Sequence, residues 1–83
     1  MFLATIHVTL KPTVNDPQGQ TILSTLQNMG FVSAISVRTG KQIEIQLDST
    51  DQKAAQSEVQ SMCNNLLSNP IIEEFHFTLI KKA

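Results

Sequence analysis

The chain contains no tryptophan and no tyrosine, and Cys63 is the only cysteine among its 83 residues. One thiol builds no disulfide framework, so cross-linking is excluded as a source of stability and a reducing, cytoplasmic compartment is expected. Charge is also scarce. Six Lys and Arg against seven Asp and Glu give a net charge of −1. That balance supplies no basic field for nucleic acid and no polybasic run for an anionic membrane. No apolar stretch reaches the roughly 20 residues of a membrane helix. Met1 to Thr5 lacks the charged region and cleavage site of a signal peptide. The expectation is a single domain over residues 1–83. A domain this short buries only roughly 60–65% of its unfolded surface. Self-association is therefore the expected supplement to its core.

What is present is regular patterning. Phe2, Ala4, Ile6, Val8 and Leu10 alternate with Leu3, Thr5, His7 and Thr9, the period of a strand with one buried face. After Lys11-Pro12, Asp16 and Pro17 write out the first turn of a helix: Asp accepts from unpaired N–H groups, and Pro at the first position has none to lose. Ile22, Leu23, Leu26 and Met29 make its apolar stripe, and Gly30 stands where a left-handed cap is wanted. Ile35 and Val37 alternate with Ser36 and Arg38. Ile43, Ile45 and Leu47 alternate with Glu44 and Gln46, and Thr39-Gly40 lies between, so the two runs read as a hairpin. Asp48 to Asp51 offers capping side chains for a second helix to about Leu67, striped by Ala55, Val59, Met62, Cys63, Leu66 and Leu67. Asn69-Pro70 stops it. Phe75, Phe77 and Leu79 mark a last strand from about Glu73 to Ile80.

The order strand, helix, strand, strand, helix, strand is the ferredoxin-like βαββαβ pattern of an α+β fold. It predicts an antiparallel four-stranded sheet ordered fourth–first–third–second, with both helices on one face. Lys11, Asp16, Arg38, Lys41 and Asn69 then emerge at one end of the sheet.

Catalytic constellations are weak throughout. His7 and His76 fall on neighbouring strands, but zinc takes three or four ligands and Cys63 belongs to the helical layer. Glu73 and Glu74 point to opposite faces of a strand and share no proton. Asp16 puts a negative charge where a helix start would otherwise hold an anion. The open strands carry Thr5, His7, Gln42, Glu44 and Gln46, without the aromatics on which an RNA-binding sheet stacks bases. No catalytic residue, cofactor site or metal site is assigned. Lys11, Arg38 and Lys41 form a small basic cluster, expected to contact a partner's carboxylates.

Three segments carry a resemblance: Val8-Thr9-Leu10-Lys11 with Asp16-Pro17-Gln18-Gly19, Val37 to Glu44, and Met62 to Glu73. Together they resemble the PurS family, the small subunits of phosphoribosylformylglycinamidine synthase; Asn15 departs from the apolar residue common there. The resemblance implies a non-catalytic subunit of the glutamine-dependent, ATP-dependent ligase that makes formylglycinamidine ribonucleotide in purine biosynthesis. It further implies that the chain joins a PurQ-like glutaminase to a PurL-like synthetase and supports ammonia transfer. A homodimer or higher homo-oligomer is expected, without nucleic acid or membrane. The competing reading is an ACT-like small-molecule regulatory module, which shares the topology.

Overall fold

The alternation of the first nine positions produces the central strand of the sheet. In a computed structural model, which describes residues 1–82, β1 spans Phe2–Leu10, α1 Pro17–Asn28, β2 Gly40–Leu47, α2 Gln52–Met62 and β3 Glu73–Lys81. β1 pairs antiparallel with both neighbours, in the order β2-β1-β3. Phe2 lies opposite Leu47 on one side and Lys81 on the other. These are the fourth, first and third places of the expected order.

The core sits between this sheet and α2. Phe2, Ala4, Ile6 and Val8 on β1 and Leu47 on β2 meet Ala55, Val59 and Cys63, a stripe at intervals of four residues. Asp51 caps α2 by accepting from the Lys53 N–H at 3.2 Å. Past Met62 the helix widens into a π-helical turn, Cys63–Leu67, closed by the Ser68 N–H donating to the Cys63 carbonyl at 3.1 Å. The extra residue in that turn rotates Leu66 off the stripe expected for it, leaving it 82% exposed.

Three strands form, not four. A two-residue turn at Thr39-Gly40 would set Arg38 opposite Lys41, like charges facing, and Ser36 opposite Ile43, the wrong face of the pleat. Residues 34–39 instead run without ladder pairing, and the expected hairpin is absent. α1 also departs from expectation. It makes at most marginal contact with the sheet, whereas α2 packs on β1. α1 lies against its own return segment: a side chain at Gly19 would overlap the Val37 carbonyl, and the Gln27 amide donates to the Ala34 carbonyl at 3.1 Å. Its end is a Schellman cap, with Phe31 N–H on Leu26 O, Gly30 N–H on Gln27 O, and Gly30 at φ 101°. α1 and residues 29–39 thus project from the sheet as an arm. The molecule measures 50 × 29 × 14 Å with a radius of gyration of 16.5 Å, against about 12 Å for a compact chain of this length. Among the described residues no helix is long and apolar enough to cross a membrane.

Candidate functional site

The base of the arm is held by one carboxylate. Asp16, 3% exposed, accepts from the Gly19 N–H at 2.9 Å as the cap of α1. It also accepts from the Thr39 N–H at 2.6 Å and the Thr39 hydroxyl at 2.9 Å, 23 residues away in sequence. Beside it the Arg38 guanidinium donates through Nη2 to the Lys11 carbonyl at 3.0 Å and the Val14 carbonyl at 2.8 Å. Together Asp16, Thr39 and Arg38 clasp the two ends of the arm to the loop after β1. The clasp determines the direction in which the arm leaves the sheet.

The hydrogen bonds from Gly19 and then Thr39 hold the Asp16 carboxyl below the usual carboxylate range; burial opposes them, and the Arg38 charge adds a smaller lowering. Since the folded value lies below the unfolded one, the stabilisation is complete above the unfolded carboxylate pKa. It is lost as pH falls through the folded value. We therefore expect Asp16→Asn to lose part of the wild-type fall in stability below about pH 4. Thermal unfolding followed by circular dichroism from pH 7 to pH 3, variant against wild type, measures it; equal slopes for the two would refute the role.

The structure places all three basic residues expected at this end. Arg38 is exposed but engaged, its guanidinium tied to two carbonyls. Lys11 is half-buried, and its N–H donates to the Ile72 carbonyl at 2.8 Å. Lys41 is exposed and lines an open hollow of about 500 Å³ with Val8, Leu10, Asp16, Gln18 and Glu73. Thr39 and Gly19 were absent from the expected set. Gly19 carried a signal: a poor helix former in a first turn, where the backbone needs no glycine, marks a close approach.

Elsewhere the chemistry is sparse. The His7 and His76 rings stack across β1 and β3 with centroids 4.8 Å apart, and no group of three metal-capable side chains occurs among the described residues. Cys63 is buried, which pushes its thiol pKa up and away from the reactive thiolate.

The family model PurS: Phosphoribosylformylglycinamidine (FGAM) synthase matches residues 3–81. A phosphoribosylformylglycinamidine synthase subunit PurS from Synechocystis sp. is 40% identical over 89% of this chain and 74% of its own length. The crystal structure of Methanocaldococcus jannaschii PurS superposes with a TM-score of 0.89 at 34% identity, covering 100% of both chains. A chain of the PurLQS structure from Thermotoga maritima superposes with a TM-score of 0.87 at 29% identity, over 95% of this chain and 96% of that one.

Proposed function

As the chain belongs to the PurS family of phosphoribosylformylglycinamidine synthase subunits, we propose that it is the non-catalytic subunit of a glutamine-dependent synthase. That complex converts formylglycinamide ribonucleotide, ATP and glutamine to formylglycinamidine ribonucleotide, ADP, phosphate and glutamate. The observation that carries this reading is the likeness, over nearly the whole chain, to a component of PurLQS. In it this chain bridges a PurL-like synthetase and a PurQ-like glutaminase as a homo-oligomer and keeps released ammonia within the assembly. Its single buried thiol suits the cytoplasm. The four-stranded sheet expected from the sequence requires a ladder partner for residues 35–38, and assembly supplies it.

Lys41, at the rim of the hollow, and Lys11, in the loop after β1, present cations to partner carboxylates. Arg38 joins them, since a guanidinium carries five donors and the two carbonyls engage only Nη2. A desolvated charge pair costs roughly 2–5 kcal/mol when one partner is truncated, against about 0–1 kcal/mol for an exposed one.

Reconstitution tests both levels. The synthetase and glutaminase mixed without this chain should make product from ammonia but not from glutamine, and adding the chain should restore the glutamine reaction. The chain alone should release no glutamate. Lys11→Ala with Lys41→Ala should weaken assembly at least tenfold while leaving the circular dichroism unchanged. Full glutamine-dependent synthesis without the chain would overturn the function. Wild-type affinity in the double variant would overturn the docking surface alone.

A further inference from the structure

The open face of the sheet brings two metal-capable side chains to one point. His7 and His76 stand near opposite ends of the sequence, yet they face each other directly across β1 and β3. Their rings stack with centroids 4.8 Å apart and planes 19° from parallel. The core, with Ala4, Ile6 and Val8, lies on the other face. Solvent therefore reaches the pair: His76 is exposed and His7 half-buried.

We propose that His7 and His76 form a chelating site for a borderline divalent cation of the Zn(II) class, with Glu74 as third ligand and water completing the coordination. The site goes beyond the subunit reading and is independent of it. Counted by residue type alone, the two histidines fall short of a zinc site. A site with an open solvent position needs only three protein ligands, and the register supplies a third. Glu74 lies two residues before His76, so it shares the open face, and it pairs with Thr9, the next residue of that face after His7. It is thus the diagonal neighbour of His7, at roughly 7–8 Å, within reach of a long side chain. Its side chain is exposed and free to turn. Among the described residues no group of three such side chains is already gathered, so the carboxylate swings in as the ion binds.

The sheet does the positioning. Directly opposed residues of an antiparallel pair have Cβ atoms roughly 4.5–5.5 Å apart, close enough for two imidazoles to share one ion. Stacking sets the ring nitrogens side by side. A tetrahedral ion about 2.0–2.1 Å from each nitrogen requires them roughly 3.3 Å apart and converging. Rotation about χ2, a broad torsion in histidine, turns the rings inward without moving either strand.

The donor set also selects the ion. Imidazole nitrogen suits late first-row cations, whereas Mg(II) and Ca(II) require oxygen. Cys63 is buried in the core on the opposite face and does not compete. A bound ion staples β1 to β3. The unfolded chain keeps the two histidines far apart, so the ion binds the folded state and stabilises it by mass action.

Calorimetric titration of the full chain with zinc chloride at neutral pH should give one ion per chain. His7→Gln and His76→Gln should each weaken binding at least roughly tenfold, since a lone imidazole loses the chelate, with unchanged far-ultraviolet circular dichroism. Glu74→Gln should weaken it by a smaller factor. Excess zinc should raise the melting temperature of the wild type and leave that of His76→Gln unchanged, and magnesium should raise neither. A wild type that binds no zinc, or either histidine variant binding it as tightly as wild type, would overturn the site. Wild-type affinity in Glu74→Gln would overturn the third ligand alone.

Discussion

Ile6→Ala should remove about 2–5 kcal/mol of stability, the usual range for truncating a large buried aliphatic side chain. Ile6 is fully buried at the middle of the central strand, opposite Ile43 on one side and Phe77 on the other. Both flanking strands fix its backbone, so the sheet cannot close over the lost methylenes and the cavity persists. A chain of this length has a total stability of roughly 4–12 kcal/mol, so the variant loses a large share of what holds it folded. In urea the midpoint should fall while the slope stays constant, because the same surface is exposed on unfolding. Leu66→Ala is the informative comparison. Helical periodicity would bury Leu66 on the same stripe as Val59 and Cys63, whereas the π-helical turn faces it outward. Its truncation should change stability by less than about 0.5 kcal/mol. Equal losses at the two positions would mean that the π-helical turn does not form in solution.

That contrast shows which parts of the fold were legible in the sequence. Local signals were sufficient wherever the determining partners lie within a few residues. The alternation of β1, the caps at Asp16 and Asp51, the Gly30 terminus and the Ala55–Val59–Cys63 stripe all appear as expected. The pairing of His7 with His76 followed from placing the last strand beside the first. The misses share one cause. Residues 35–38 have the pattern of a strand, but pattern does not say which edge a strand meets, and face parity forbids the nearest one. The stripe of α1 marks an apolar face, but not whether its own sheet or another surface covers it. At the candidate site, Lys11 and Arg38 do meet at one end, but Arg38 arrives there through its bonds to the Lys11 and Val14 carbonyls and not through the expected hairpin. The bond from Thr39 to Asp16 spans 23 residues, so no window of local sequence contains it.

The clasp also makes its own demand on the sequence, at Gly19. A Cβ there would overlap the Val37 carbonyl and lie 2.9 Å from Asp16 Oδ2. Neither atom is the free end of a flexible side chain: one is backbone, and the other is fixed by the Thr39 N–H and hydroxyl that donate to it. Something must move, and the segment held only by the clasp is the arm. Gly19→Ala should therefore cost about 1–3 kcal/mol, as overpacking usually does. In a domain of this size that lowers the melting temperature by roughly 4–8 °C per kcal/mol. Alanine is otherwise the better helix former, by roughly 1 kcal/mol, so a loss here isolates the steric clash from propensity. Gly30→Ala separates the two kinds of glycine. Its φ of 101° strains any side chain, yet no atom lies within 4 Å of the added carbon, so its cost of roughly 1 kcal/mol stays local. The two variants should differ most in acid. Displacing Val37 pulls Thr39 from Asp16, so Gly19→Ala should also lose part of the wild-type fall in stability below about pH 4, whereas Gly30→Ala should keep it. A Gly19→Ala protein as stable as wild type, with the same acid dependence, would show that the arm is not held by this carboxylate.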